Sequence, residues 1–401
     1  MSPTLTHSFN ESAAVDRLYR FLAVEGITGQ EKAIARAVAR ELESVGVPRR
    51  AIRHDNANER IPLPTQTGNL IVTLPGTHEG PRLLFSAHLD TVPLCAGVVP
   101  ERGNNRILSR SDTALGGDDR TGVACLVTMA ATLMQNKLPH PPLTLLFTVR
   151  EESGLFGARF VDPNDLSGPV MGFNVDGRLP SDLTVGAVGA ERWEVEIHGR
   201  ASHAGVHPEQ GISATIVAAL ALAAVQRDGW FGKVHQDSGD GTSNIGRVAG
   251  RDGKSAGEAT NVVTDYVSIH GESRSHEARF ARAITRAYRA AFTNAANLLS
   301  NDKGRKAKIK FTSRLDYHPF RLKEDAPVVN HAKQAAVRAG LQPSTRVGNG
   351  GLDANWLVRH GIPTVTFGAG QNNIHTTEEY VDLPSFLAGC RMALALATSE
   401  G

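Results

Sequence analysis

Phe147-Thr-Val-Arg-Glu-Glu-Ser-Gly154 joins an apolar run, residues 143–149, to two adjacent carboxylates, Glu151 and Glu152. The run is short, β-rich and introduced by Pro141-Pro142, so it reads as a buried strand of a parallel sheet rather than a helix. Two neighbouring acids have no structural need at a strand end. In open α/β sheets ligands bind at the carboxyl edge, because loops from several strands converge there. Other apolar runs end the same way. Arg82-Leu-Leu-Phe-Ser-Ala87 delivers His88 and Asp90, and Val170-Met-Gly-Phe-Asn-Val175 delivers Asp176. Pro363-Thr-Val-Thr-Phe367 leads through a Gly- and Asn-rich loop to His375 and Glu378. Leu115-Gly-Gly-Asp-Asp-Arg-Thr-Gly122 opens an apolar helix expected to run to about Gln135. Five segments thus present His, Asp and Glu at one rim.

Outward from this rim, residues 11–47 are expected to form two helices, with Val15, Leu18 and Leu22 and then Ile34, Val38 and Leu42 at helical spacing. Residues 69–73 read as a strand, and the polar, Asn-rich stretch 102–111 as a hairpin. After Asp176 the texture changes. Residues 192–199 alternate charged with apolar, and His203-Ala-Gly-Val-His-Pro-Glu-Gln-Gly211 leads into an Ala/Leu helix ending near Arg227. Residues 243–249 and 260–271 read as strands, followed by a basic helix at 276–296 and a strand at 308–312. The order βαββαβ describes a compact, ferredoxin-like α+β unit. Within it, residues 237–241 are the nearest thing to a linker. A helix near 328–339 returns the chain to the first domain. The expected fold class is therefore α/β with a mixed, largely parallel central sheet. That domain is discontinuous over residues 1–187 and 318–401, and the α+β insert occupies 188–317.

At 401 residues the chain exceeds what one hydrophobic core usually supports, which agrees with two domains. Lys plus Arg number 43 against 41 Asp plus Glu, and no long basic run appears, so no nucleic-acid partner is expected. No stretch of about twenty apolar residues suggests a membrane span. Met1-Ser-Pro-Thr-Leu-Thr-His7 lacks a basic region followed by an apolar core, which argues against a secretory signal and makes the cytoplasm the expected address. Cys95, Cys125 and Cys390 are odd in number and widely spaced, so neither a disulfide framework nor a thiolate metal site is expected.

One metal ion needs about three protein ligands. His88, Asp118, Glu152, Asp176 and His375 offer five, which suits a pair of ions sharing a carboxylate. Mixed imidazole and carboxylate ligation without thiolate points to zinc, with cobalt or manganese as substitutes. Two ions about 3.5 to 4 Å apart can activate one water and polarise a carbonyl. A lone His or Asp at a strand end is more often a cap or a hydrogen-bonded core group. Five at one rim reverse those odds.

Ser86-Ala-His-Leu-Asp-Thr-Val-Pro93, Gly117-Asp-Asp-Arg-Thr-Gly122, Glu151-Glu152, Asn174-Val-Asp-Gly177, Ser202-His-Ala-Gly205 and Ile374-His-Thr376 together resemble the M20 family of dinuclear zinc peptidases, and within it the peptidase T (tripeptide aminopeptidase) branch. The resemblance covers nearly the whole chain, insert included. It implies a phosphorylase/hydrolase-like zinc-exopeptidase domain, a lid that forms a homodimer, two Zn2+ per chain and a short peptide substrate. It makes His88 and Asp176 ligands of one ion, Glu152 and His375 ligands of the other, and Asp118 the bridge. Asp90 would orient His88 by accepting its second ring proton. Glu151 would be the general base, and the Asp118–Asp119 peptide would be cis. His203 would reach an active site across the dimer and steady the oxyanion.

Arg274 falls where this branch holds a substrate carboxylate, although the residues around it depart from the usual pattern. Its alternative is a surface salt bridge with Glu272 or Glu277. Asn261 and Gly351 complete the substrate-binding set, Gly351 closing a Gly348-Asn-Gly-Gly351 loop whose backbone approaches substrate. The expected activity is hydrolysis of short peptides. An amidohydrolase or carboxypeptidase acting on N-acyl amino acids would share the metal chemistry and differ in its pocket. A non-catalytic binding protein on the same fold should have lost Glu151 or a ligand, and this chain retains them all.

Overall fold

The computed structural model describes residues 8–257 and 259–398. Residues 1–7, on which the secretory-signal reading rests, lie outside them. The chain divides into two compact units, residues 1–187 with 321–401, and residues 188–320.

In the first unit Leu143–Thr148 is a strand with every residue buried. Both of its faces are covered, which is why it is largely apolar instead of alternating, with Thr144 and Thr148 buried and hydrogen-bonded. Leu145 and Phe147 enter the main core, while Leu146 joins Ile71, Leu84 and Leu357 in a separate apolar cluster. Leu143–Thr148 pairs in parallel with Leu83–His88, which pairs in parallel with Met171–Val175, which pairs in parallel with Thr364–Phe367. Four strands therefore open their carboxyl ends on one edge. Leu70–Leu74 runs antiparallel beside Leu143–Thr148, and Ser344–Gly348 joins farther out, parallel to Asp182–Ala187. The sheet is mixed and largely parallel.

The helix Gly117–Asn136 lies against Leu83–His88 and Met171–Val175 and is covered in turn by Glu11–Leu22 and Leu383–Ala397. Being buried nearly all round, it carries no polar stripe. Lys32–Ser44 does have one, and buries Ile34, Ala35, Val38 and Leu42 on its other side. Pro100–Arg102 and Arg106–Ser109 form the expected antiparallel hairpin. No described helix is long and apolar enough to cross a membrane.

The second unit is, among the described residues, a five-stranded antiparallel sheet in the order Gly232–Gln236, Gly239–Ala249, Tyr266–Ser275, Gly189–His198, Lys308–Tyr317. Helices Ala214–Arg227 and Ala278–Leu298 supply its second layer. Trp193, Val195 and Ile197 alternate inward from one strand and meet Ile284, Tyr288 and Phe292 of the second helix. The Trp193 and Tyr288 rings lie 4.4 Å apart.

The element order is βαβββαβ, one strand more than expected. Gly232–Gln236 buries only Val234, so no apolar alternation announces it. The stretch 237–241 is not a linker. Gln236 pairs with Gly239, so Asp237 and Ser238 form a tight hairpin turn and the rest is already strand.

Candidate metal centre and active site

Each strand of the parallel edge delivers one side chain. His88 ends its strand, Asp176 follows Val175, Glu152 sits in the turn beyond Thr148, and His375 lies on the loop beyond Phe367. Asp118 arrives from the start of the buried helix. These five form two groups, His88 with Asp118 and Asp176, and Asp118 with Glu152 and His375, each with donor atoms within 4.8 Å of one another. Asp118 belongs to both. Its Oδ1 lies 3.0 Å from His88 Nε2 and its Oδ2 3.3 Å from His375 Nε2. His375 Nε2 is also 2.9 Å from Glu152 Oε1. Glu151 Oε2 stands 4.0 Å from His88 Nε2. Gln371 fixes Asp176, donating to its Oδ1 at 3.1 Å while accepting from Thr121. The Asp118–Asp119 peptide is cis. Imidazoles and carboxylates without thiolate are a donor set that fits zinc and related divalent ions.

The loops carrying these groups are held by buried carboxylates that accept main-chain N–H bonds. Asp90 accepts from Glu151 at 2.9 Å and from Glu152 at 3.2 Å. Glu379 accepts from Leu115, Gly116 and Asp118 at 2.9, 2.8 and 3.0 Å. Asp119 accepts from His88 at 3.1 Å and Gly122 at 3.0 Å. Glu31 accepts from Arg150 at 3.1 Å and Gly29 at 2.6 Å. Buried N–H groups must be paired, and carboxylates pair them strongly.

This differs from the part expected of Asp90. His88 Nδ1 lies 2.9 Å from the Asp90 main-chain oxygen and 3.6 Å from its carboxylate. The ring nitrogen meets the carbonyl at hydrogen-bond distance, and the carboxylate accepts the Glu151 and Glu152 N–H groups.

Glu31, Asp353 and Glu379 were given no role by the sequence, which named Asp119 only for its cis peptide and placed Glu378, exposed here, at the rim in place of the buried Glu379. Asp119 and Glu379 each stand second in a doubled acid, the signal that marks Glu151-Glu152 and would have found them. Asp353, buried, accepts from Thr148 Oγ1 and closes a Gly-rich loop that conceals it. Glu31 opens a helix and looks like an ordinary exposed first-turn acid.

Charge is crowded here. Burial lifts the Glu151 carboxyl well above its usual range against the pull of His88. Burial and the neighbouring Asp118 push Asp176 up to about 7, and burial does the same to Glu379. Burial would raise Asp118 too, but hydrogen bonds to His375 and His88 outweigh it and hold this carboxyl low. Hydrogen bonds to Asp118 and Glu152 raise His375 to about 10. A carboxyl lifted toward neutrality is suited to proton exchange at working pH.

In the second unit His203 is exposed, and its Nδ1 accepts the N–H groups of Gly205 and Val206, both at 3.2 Å. That fixes the ring proton on Nε2, which is left as a donor. Arg274 Nη2 donates to Glu272 Oε2 at 3.0 Å, with Nε 2.9 Å from Oε1, so the Glu272 salt bridge weighed above is formed. Asn261 is exposed and accepts from Ala204 N–H at 2.8 Å through its main-chain oxygen. Gly351 belongs to the first unit, half-buried in the loop before the helix Asp353–Arg359.

A parallel-sheet edge that gathers imidazoles and carboxylates around one shared aspartate has the site architecture of peptidase-type metallohydrolases. A profile of peptidase family M20/M25/M40 matches residues 84–399, and the chain belongs to this family of hydrolases. It is 30% identical over 388 residues to the uncharacterized protein YqjE of Bacillus subtilis (strain 168), covering 96% of this chain and 98% of that one. The crystal structure of aminopeptidase PepT from Bacillus cereus is similar with a TM-score of 0.81 at 30% identity, over 97% of this chain and 98% of that one. A tripeptidase structure from Staphylococcus aureus gives 0.85 at 27% identity, with coverages of 97% and 98%.

The raised groups set a pH dependence for the metal-free chain. His375, at about 10 in the fold, keeps a proton that the unfolded chain releases near 6.5, so this stabilisation is complete below 6.5 and is lost as pH rises toward 10. Asp176 and Glu379, at about 7, are protonated in the fold where the unfolded chain is ionised, which also makes stability fall as pH rises toward 7. The chelator-treated chain is therefore expected to melt at a higher temperature at about pH 6 than at about pH 9 in scanning calorimetry, and added zinc, which needs deprotonated ligands, should weaken or reverse that slope. An equal or higher melting temperature at the alkaline end would contradict the assigned proton inventory.

Proposed function

We propose that this chain is a dinuclear metallo-exopeptidase of the tripeptide aminopeptidase kind, with Glu151 as general base. The observation that carries the proposal is that Asp118 is common to both ligand groups, while Glu151 lies outside them at 4.0 Å from His88. His88 and Asp176 would hold one ion, Glu152 and His375 the other, and Asp118 both. Two divalent ions, Zn2+ or in its place Co2+ or Mn2+, supply Lewis acidity and acidify water when bound. Glu151 removes the proton of the attacking water and returns it to the departing amine. Its buried, raised carboxyl and the Asp90 bond to its backbone suit it to both steps.

His203 Nε2–H supplies a donor to the developing oxyanion in the site of a partner copy. Support for a dimer comes from the helix Ala214–Arg227 and its neighbours, where Ile216 is 50% exposed, Leu220 39%, Val206 61% and Val262 45%. Apolar side chains left open in this way suit burial against a second copy of the chain. The short-peptide substrate is supported by the likeness to PepT and to the tripeptidase.

The zinc-saturated chain is expected to contain about two ions, and Glu151→Ala to lower kcat by roughly 10² to 10⁴ with metal content unchanged. Loss of metal from that variant would instead exchange the roles of Glu151 and Glu152. For the shared site, Glu151→Ala and His203→Ala chains, each inactive, should regain activity when mixed into verified heterodimers. No recovery would confine each site to one chain.

Arg274 suits a substrate C-terminal carboxylate because a planar guanidinium fork can bind carboxylates bidentately, and with Glu272 it uses only Nη2 as a hydrogen-bond donor. Arg274→Ala is expected to weaken kcat/KM for free tripeptides by roughly two orders of magnitude. Tripeptide amides should be poor substrates already and change little. Equal losses on acid and amide would assign Arg274 to its Glu272 bridge alone.

A further inference from the structure

We infer that Glu31 is the positioning residue for Glu151, a role that rests on the proposed function of Glu151 as general base. Glu31 lies before the family-matched segment 84–399, in Thr28-Gly29-Gln-Glu31. It directly precedes the helix Lys32–Ser44 but makes no side-chain capping bond to it. Its carboxylate, 0% exposed, turns away to the catalytic edge, where Oε1 accepts the N–H of Arg150, 119 positions along the chain.

Arg150 needs that partner. Its φ is 53°, the left-handed region that residues with a side chain seldom adopt. The turn it begins carries Glu151 and Glu152. Three consecutive N–H groups then end on two buried carboxylates, Arg150 on Glu31 and the next two on Asp90. Without Glu31 the first of the three would be a buried donor with no acceptor.

The segment around Glu31 is built for this contact. Thr28 N donates to Thr91 O at 2.9 Å and Thr91 N to Gly26 O at 3.1 Å, which stitches it to the loop of Asp90. Thr28 Oγ1 donates to Ser153 Oγ at 2.9 Å, which stitches it to the loop of Glu151. A Cβ at Gly29 would fall 2.2 Å from Arg150 Nη2, so glycine is what lets the guanidinium lie against this segment. Arg150 Nε then reaches Thr65 Oγ1 at 2.8 Å. Glu31 thus sets where the chain begins the turn, and Asp90 sets where it goes next.

The test is a set of variants of the full-length, metal-loaded enzyme, with kcat, KM and metal content measured for each. Glu31→Gln keeps an acceptor oxygen in place and should stay within about threefold of wild-type kcat. Glu31→Asp withdraws the acceptor by one methylene and Glu31→Ala removes it; these should lower kcat by about 5-fold and about 10- to 100-fold, since misplacement by about 1 Å can cost 10²-fold. KM and metal content should stay unchanged. In a Glu151→Ala background the same substitutions should alter the residual kcat less than about twofold, because a residue acting through Glu151 has nothing left to position.

Wild-type kcat in Glu31→Asp and Glu31→Ala would overturn the inference, as would an undiminished fall in the Glu151→Ala background. If Glu31→Ala does not fold, Glu31→Asp decides. A fall with Glu151→Ala and none with the Glu31 variants would overturn the positioning role alone. Unchanged kcat in Glu151→Ala would overturn the base assignment and the Glu31 role with it.

Discussion

Asp118 faces two imidazoles at once, His88 at 3.0 Å and His375 at 3.3 Å, and the first unit is arranged to keep it there. A buried carboxylate between two such groups is stable only while both remain, because loss of either leaves charge uncompensated in a poorly solvated place. Asp119 holds the His88 backbone, and Glu379 holds the backbone around Asp118 from the other side. Acids are thus used in two layers, one aimed at the site and one aimed at the main chain that presents it. Crowding so many carboxyls works against the fold, and the apolar core on the sheet beneath them offsets it.

The parallel sheet makes that arrangement possible. Its strands converge in direction, so residues far apart in sequence emerge on one edge without any long structureless loop. Rigid strand ends fix the direction in which His88 and Asp176 leave the sheet, and the short turn after Thr148 does the same for Glu152. The exception is His375, on a longer loop and the most exposed of the five. It also has two carboxylates within 3.3 Å, which supply the constraint its loop does not.

Much of this was legible in the sequence because burial on both faces leaves a strand with mostly apolar residues and no acid, lysine or arginine. Runs such as 143–149 announce themselves, and so do the acids and histidines that follow them. The helix 117–136 was legible for the same reason. What escaped was governed by contacts between distant segments. Glu31 looks like a surface acid until Arg150 is folded against it, and nothing local marks an acceptor whose donor lies 119 residues away. Asp90 was correctly placed beside His88, but its carboxylate bonds to the neighbouring turn, which residue spacing does not encode. Gly232–Gln236 escaped because a strand that buries one side chain has no period to detect. The partner of Arg274 could be proposed from sequence, since Glu272 lies two positions away on the same side of one strand.

The second unit begins and ends on neighbouring strands. Gly189–His198 and Lys308–Tyr317 pair along their length, and Pro319 crowds Gly189. The whole insert therefore hangs from a two-strand doorway. Closing a loop costs entropy that grows with the number of free residues in it. An insert that is already folded contributes almost none of its own length, so the path from Met171–Val175 to its parallel partner Thr364–Phe367 is much shorter in effect than the residue count suggests. An unfolded insert restores the full length of that loop. The last parallel pairing of the sheet, and with it the arrival of His375, is thereby tied to the order in which the two units acquire structure.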